Sequence, residues 1–271
     1  MTKKNKIEKI INRKAYTIQN GAYCFLAGDR TPQKTSGQGF LGNIQNCIKK
    51  HGRIYYFMLR LFAPVFPSLI FQRAIKKYLK KYSENHFIVN LGSGPQYFKN
   101  RKDIINVDLF AFDEVDIIAD SACLPIFDQS VDFVLNLALL EHTRNPQQIV
   151  CEMRRILKPG GEILAYVPFI VPFHPAPNDY YRWTRQGVKE LFSGFDSSEI
   201  FVGCGPTSGM LYIFQEWAAS LLSFGSRTLH DIWFLILLGC LFPVKYLDLF
   251  LEKIPHGSNI ASGFGINAMK H

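Results

Sequence analysis

The sequence has no C-x-x-C pair, and its six cysteines, Cys24, Cys47, Cys123, Cys151, Cys204 and Cys240, are scattered with no histidine beside them at metal-ligand spacing. Such usage fits reduced thiols rather than a disulfide framework or a structural zinc site, so no metal is expected. No apolar h-region follows the basic opening MTKKNKIEKIINRK. That excludes the pattern of a cleaved secretory signal, and the expected compartment is the cytosol. Internal repeats are missing as well. Long apolar runs are scarce: residues 232–251 approach the roughly 20 residues that span a bilayer, but Pro243, Lys245 and Asp248 interrupt them. The unbroken part, IWFLILLGCLF, is short, which favours a buried, re-entrant or interfacial helix over a true span.

Acidic residues are nearly missing from the first third. Residues 1–81 hold 17 of the 31 Lys and Arg but only two of the 22 acids, Glu8 and Asp29, leaving 14 basic and 20 acidic residues from Ser83 onward. The formal charge of +9 is therefore concentrated at one end. A basic leader of this kind suits an anionic membrane surface, a nucleic acid or an anionic substrate, and equally a solvated surface.

With 48% apolar residues in 271, the chain has enough material for one substantial core plus appended elements. Three parts are expected: a basic, partly helical N-terminal extension at 1–82, a catalytic domain at 83–205 and an apolar helical extension at 206–271 that can meet a membrane interface. Residues 1 to about 40 show no sustained apolar period and read as extended or mobile. Residues 40–81 carry apolar positions every three or four residues, broken by Pro64 and Pro67, which predicts two short amphipathic helices.

From Phe87 the period changes. FIVNL, IINVDLF, VDIIAD, VDFVLNL and EILAYVPF read as strands at intervals suited to crossover helices, and SSEIFVG as a later, weaker one. Between the fourth and fifth of these lies PQQIVCEMRRILKPGG, a helix that Asn145 can cap, Pro146 can open, and Gly160 with Gly161 can stop.

The chemistry is expected at the carboxyl ends of those strands, where ligands bind open parallel sheets. Gly92 and Gly94 in NLGSGPQY allow a tight turn and close backbone approach, and Asp108 at the end of the second strand can accept both hydroxyls of a ribose. A dinucleotide fingerprint needs a third glycine at position 97, where Tyr97 stands, and the lysine of a phosphate-binding loop is also missing. A nucleoside without a cradled phosphate is the better match.

The blocks NLGSGPQ, INVDLF, ADSACLPIFDQSVDFVLNLALLEHTRNP and RRILKPGGEILAYVPF, in that order and spacing, resemble the class I S-adenosylmethionine-dependent methyltransferase domain of the type 11-like kind, over roughly 85–202. The resemblance implies an α/β fold, a Rossmann-like doubly wound, mostly parallel seven-stranded sheet with helical extensions at both ends. It implies S-adenosylmethionine as cofactor, with Asn90, Gly92 and Gly94 lining its methionine part, Asp108 holding the ribose, and Asp120, Ser121 and Ala122 flanking the adenine. Leu137 and Ala138 would close over the sulfonium. Similar proteins usually carry Asp or Glu where Asn90 stands.

If the acceptor is a hydroxyl, a general base is useful, and His174, His142, Asp179 and Glu141 are candidates by location, His174 foremost. Tyr180, Tyr181 and Arg182, with Trp183, suit stacking on sugar faces and pairing with an anionic group. That segment and GPTSGMLYIFQEW resemble bacterial methyltransferases of cell-surface polysaccharide pathways. The expected activity is O-methylation of a glycan or lipid-linked sugar, with peripheral contact to the inner face of an anionic membrane. Two alternatives stand beside it: an RNA methyltransferase, which the lack of an RNA-binding motif disfavours, and a non-catalytic membrane-associated adaptor of the same fold.

Overall fold

The computed structural model describes residues 2–13, 15–30, 66–95, 98 and 101–271. Tyr97 and the earlier of the two helices expected between residues 40 and 81 lie outside them. The chain begins with helix α1 (Lys3–Ile10) and strands β1 (Thr17–Gln19) and β2 (Ala22–Cys24). Helix α2 (Leu69–Lys81) leads into β3 (Ile88–Leu91), β4 (Ile105–Asp108), β5 (Ile117–Ile118) and β6 (Val131–Leu137). Helix α3 (Pro146–Ile156), strand β7 (Leu157–Pro168), helix α4 (Arg185–Leu191) and strand β8 (Ser197–Cys204) follow. Helices α5 (Pro206–Leu222), α6 (Arg227–Leu241) and α7 (Asp248–Leu251) precede the last strand, β9 (Gly263–Met269).

Among the described residues these strands form one sheet in the order β1-β2-β5-β4-β3-β6-β7-β9-β8. Strands β2, β5, β4, β3, β6 and β7 run parallel, while β9 lies antiparallel between β7 and β8. The expected seven-stranded, mostly parallel sheet is the β5-to-β8 part. The β1–β2 hairpin extends it at the β5 edge.

Both faces of the sheet are covered, so its strands need not alternate apolar with polar. In β6, Phe133 and Leu135 face α2, where Phe71, Tyr78 and Tyr82 pack, and Val134 faces the opposite cluster with Ile149, Met153 and Ile156 of α3. Tyr78 and Tyr82 stack on Phe133 at 5.0 and 4.8 Å between ring centres. Ser68 caps α2, accepting from Phe71 N at 3.0 Å, and its hydroxyl donates to Val202 O of β8 at 2.7 Å, which fixes the helix to the sheet.

The structure corrects three local readings. Residues 3–10 are a helix rather than extended chain, while 17–19 and 22–24 are extended as strands: Ile7 and Ile10, three positions apart, are buried in the main core, and Thr2 caps the helix that carries them. Part of the basic leader is spent inside the molecule, since Lys3 Nζ lies 2.6 Å from Asp116 Oδ2 and the buried Lys6 donates to His86 O at 2.7 Å. Second, α3 ends at Ile156, before the glycines, and Asn145 occupies the cap position without a side-chain bond. The Lys158–Gly161 segment instead belongs to β7, whose register against β6 shifts between Val131 and Phe133. A Cβ on Gly161 would lie 2.9 Å from Lys158 O, so the tight excursion requires glycine there.

Third, the last segment is not all helical. Strand β9 sits inside the sheet, with Phe264, Ile266 and Ala268 buried and Gly263 and Gly265 closely overlain by Tyr166 and Phe201. The glycines make room for those rings, and for that reason the segment lacks the β-branched run that signals a strand.

Between β8 and β9 the chain builds a helical hairpin, α5 packed on α6, followed by short turns back to the sheet. The helical run Arg227–Leu251 is 25 residues long and, by length and composition alone, long and apolar enough to cross a membrane. Little of it is buried.

Candidate active site

Strand β3 is the point where the chain order reverses, β4 and β5 lying to one side and β6 and β7 to the other. The turns leaving these strands at their carboxyl ends therefore lie side by side, the arrangement that forms a ligand crevice. The turn after β3 folds back on β4: Gly92 N and Ser93 N both donate to Val107 O, at 2.9 and 3.1 Å. Gly92 has φ +71°, and a Cβ there would fall 2.7 Å from Leu139 Cβ, so only glycine fits between this turn and the segment after β6. Gly94, at φ +55°, has no atom of the described residues within 4 Å of where a Cβ would stand.

Asp108 ends β4 with 8% exposure. Its Oδ2 accepts from Gly94 N at 2.7 Å and its Oδ1 from Phe110 N at 3.0 Å. Burial raises its pKa above the ordinary carboxylate value, opposed by the N–H groups of Phe110, Gly94 and Leu109. Each oxygen keeps a second lone pair, so the carboxylate can still accept two hydroxyl groups. After β5, Asp120 Oδ1 accepts from Ala122 N at 2.9 Å, closing a turn in which Ser121 is buried and Ala122 half-buried. Gln148 of α3 holds that turn from behind, donating to Ala122 O at 2.9 Å.

Asn90 is buried, and its Nδ2 donates to its β4 register partner, Asn106 Oδ1, at 3.1 Å. The amide thus ties β3 to β4. Leu137 packs partly buried on the α2 side, and the next residue, Ala138, is a non-glycine at φ +59°. Such a backbone costs of order 1–3 kcal/mol and tends to mark functional sites. Asn136, not among the expected site residues, is fully buried beside Leu91, its register partner; its Nδ2 donates to Leu91 O at 3.2 Å while its Oδ1 has no hydrogen-bond partner among the described residues. A polar residue in the apolar run VDFVLNL was the available signal.

The second group of polar residues stands at the ends of β6 and β7. A single 3-10 turn, Leu140–His142, follows β6, and the loop from 169 to 184 follows β7. Tyr180 N donates to Glu141 O at 2.7 Å and joins the two. Glu141 is 0% exposed and, among the described residues, neither carboxylate oxygen has a hydrogen-bond partner. His142 Nε2 and His174 Nε2 each lie 3.8 Å from its Oε1, and the two imidazole rings meet edge to face at 5.4 Å. One ligand atom from each of these three side chains lies within 4.8 Å of the others, a set able to hold a metal ion. The Glu141 carboxylate raises the pKa of His174, while burial works against it.

Asp179 is held by Arg182, whose Nη1 and Nη2 reach its two oxygens at 2.5 and 2.7 Å. Arg182 thereby pulls the Asp179 carboxyl down to about 2, which makes it a weak proton acceptor. Arg182 also donates to Pro172 O at 2.8 Å and to Tyr181 O at 2.8 Å, so its guanidinium organises its own loop. Tyr180 and Tyr181 stand 41% and 38% exposed, bracing Arg144 through their hydroxyls, and the ring of Tyr181 stacks on Trp183 at 5.5 Å.

Residues 78–165 match a family model described as a methyltransferase domain. Together with the sheet order and the glycine turn, this makes that part of the chain a class I methyltransferase domain, the kind whose cofactor is S-adenosylmethionine. A probable S-adenosylmethionine-dependent methyltransferase of Mycolicibacterium smegmatis is 42% identical over 52 residues, 19% of this chain and 20% of that protein. An uncharacterised methyltransferase of Mycobacterium bovis is 41% identical over 56 residues, 20% of this chain and 22% of that one. The chain thus spans about a fifth of the length of these curated relatives. A solved Thermotoga maritima structure, described as a SAM-dependent methyltransferase and possible histamine N-methyltransferase, aligns over 84% of this chain and 98% of that one at 14% identity and TM-score 0.49.

Proposed function

We propose that the chain transfers a methyl group from S-adenosylmethionine to a hydroxyl of a glycan or lipid-linked sugar at the inner face of a membrane. The observation that carries the reading is a juxtaposition: a nucleoside-shaped site at the ends of β3, β4 and β5 adjoins the Glu141–His142–His174 cluster, with its carboxylate buried and its imidazoles half-buried, at the ends of β6 and β7. Asp108 takes the ribose hydroxyls, the bare backbone at Gly94 admits the methionine part, and the Asp120–Ala122 turn borders the adenine.

The sulfonium is itself an activated donor, so the protein has mainly to align an acceptor in line with the carbon–sulfur bond and exclude water. Positioning of that kind is worth roughly 7–11 kcal/mol. A neutral imidazole at His174 would take the hydroxyl proton as the oxygen gains the methyl group, and Glu141 would stabilise the resulting imidazolium. The exposed Tyr180 and Tyr181 rings offer faces for a sugar.

Membrane contact draws on the hairpin of α5 and α6. Met210, Trp217, Leu221 and Phe224 are exposed, Phe224 at 89%, and Phe250 continues the apolar surface at 75%. Both ends of the hairpin return to the same sheet, which favours lying in the interface over crossing it.

The test is incubation of the full chain with methyl-labelled cofactor and separated envelope, glycan and RNA fractions. Label in lipid-linked or free glycan supports the proposal; label in RNA replaces it, and absence of cofactor binding by calorimetry favours an adaptor. His174→Ala should keep cofactor binding and lose most transfer. Recovery of the chain wholly in the soluble fraction at low salt without detergent would remove the membrane part.

A further inference from the structure

Glu141 poses a problem that hydrogen bonding within the described residues does not solve. A carboxylate fully removed from water costs several kcal/mol unless it is paired, yet neither of its oxygens accepts a hydrogen bond. What faces it is two imidazole nitrogens, His142 Nε2 and His174 Nε2, each 3.8 Å from Oε1.

The tautomers of both rings are set from behind. His142 Nδ1 lies 2.6 Å from Asn178 O, and His174 Nδ1 lies 2.9 Å from Pro172 O. A carbonyl only accepts, so Nδ1 carries the proton in each ring. Arg182 Nη2 also approaches His174 Nδ1, at 3.1 Å, but its two hydrogens are directed to Asp179 Oδ2 and Pro172 O, and its charge is balanced by the two-point pair with Asp179. In their neutral form both histidines therefore point an Nε2 lone pair at an anion. Three electron-rich atoms converge on one small space, which is stable only with a positive charge between them.

We propose that this space is a metal site, holding one divalent transition-metal ion through Glu141, His142 and His174, with zinc the best match. Two imidazole nitrogens and one carboxylate oxygen form a borderline set that suits zinc and its neighbours rather than magnesium or calcium. The Nδ1–H groups donated to Asn178 O and Pro172 O are the outer bonds that orient metal-binding histidines. A tetrahedral ion at about 2.0–2.1 Å draws its ligand atoms to about 3.3 Å of one another, so each side chain has to move inward by less than about 1 Å. Three protein ligands leave one position open for water or an acceptor oxygen, as in catalytic rather than structural sites. The sequence hides this set because its members come from two loops 32 positions apart. Any use of the ion in methyl transfer rests on the function proposed above, in which it would bind the acceptor oxygen in place of a base at His174; its presence does not.

The experiment is metal analysis of the full, tag-free chain, prepared without chelator and then reloaded with Zn2+ or Co2+. One equivalent per chain is expected, with visible ligand-field bands for Co2+, falling below a tenth in His142→Ala and His174→Ala, while His86→Ala, far from the site, keeps it. Should the variants misfold, the wild-type chain answers alone: Zn2+ should protect His142 and His174 from diethylpyrocarbonate, mapped by mass spectrometry, and leave His86 reactive. A folded wild-type chain that takes up no stoichiometric metal, or unaltered uptake in the double His142→Ala/His174→Ala variant, overturns the proposal. Cofactor calorimetry on chelator-treated protein is separate, so loss of the metal reading leaves the methyltransferase reading standing.

Discussion

Gly94 N and Asp108 Oδ2 meet at 2.7 Å, so the same carboxylate that shapes the glycine turn is the one available to a ribose. Asp108→Ala removes both functions. Two hydrogen bonds from hydroxyls to a charged acceptor contribute about 1.5–3 kcal/mol each, so cofactor affinity should fall at least about a hundredfold. Isothermal calorimetry reads this directly. An unchanged Kd would show that the ribose lies elsewhere.

Acid should reach this site early. Burial places the Asp108 pKa above that of an ordinary aspartate, so its folded-state value exceeds its unfolded one. The sign follows: the ionised form costs stability above the folded pKa, and protonation relieves that cost as pH falls through it. Folding therefore gains slightly on acidification from this group while cofactor binding through the proposed ribose contact weakens. Kd measured from neutral pH downward should rise before ordinary aspartates titrate, and the Asp108→Asn variant should lack that rise.

The two glycines of the turn separate folding from binding. At Gly92 both the left-handed backbone and the 2.7 Å approach to Leu139 oppose a side chain, whereas Gly94 has the backbone conformation but no close neighbour among the described residues. An L-residue in that conformation costs about 1–2 kcal/mol. Gly94→Ala should therefore lose only a few degrees of Tm while weakening cofactor binding, because its methyl group enters the ligand's space. Gly92→Ala should lose clearly more stability, by thermal denaturation. Equal losses would mean that Leu139 moves aside without cost.

The sheet core was legible because strands buried on both faces announce themselves as apolar runs, and FIVNL, IINVDLF and VDFVLNL became β3, β4 and β6. What escaped was set by contacts distant in sequence. Strand β9 trades branched residues for Gly263 and Gly265 under the rings of Tyr166 and Phe201, so its local pattern is weak. The leader shows no apolar period because Ile7 and Ile10 of its short helix reveal their purpose only against the core. Of the site, the strand ends carry the residues expected to meet the cofactor, whereas nothing local tells that the Glu141 carboxylate is buried without a donor among the described residues.

Arg155 braces, from a distance, the loop proposed to border the adenine. It donates to Leu124 O at 3.1 Å and Ile126 O at 2.8 Å and pairs with Glu152 at 2.7 Å, while Glu152 Oε2 accepts from Leu124 N at 2.7 Å. The loop leaving Asp120 is thus held to α3 by one planar group. Lysine cannot reproduce that fork, so Arg155→Lys should weaken cofactor binding roughly three- to tenfold, about 1 kcal/mol, with kcat at saturating cofactor nearly unchanged. A loss confined to kcat would argue against a positioning role.

Asp248 shows how the apolar C-terminal segment is secured to the domain. Helix α5 opens with Gly205 at its cap position and Pro206 after it, so no local side chain satisfies its first amides. Asp248, 0% exposed and 40 residues on, supplies the missing acceptor: Oδ1 takes Thr207 N at 2.7 Å, and Oδ2 takes Ser208 N at 2.9 Å and Ser208 Oγ at 2.6 Å. A negative charge at a helix N-terminus is favoured by the aligned peptide dipoles as well. Removing it leaves two buried amides without partners, a cost on the order of 3 kcal/mol. At about 2–4 °C per kcal/mol for a chain of this size, Asp248→Ala should lower Tm by roughly 6–12 °C. Gly205→Ala should act similarly, because its Cβ would intrude on the Asp248 carboxylate. The two changes break the same contact, so the double variant should lose little more than either alone. Additive losses in thermal denaturation would show that Gly205 and Asp248 act separately.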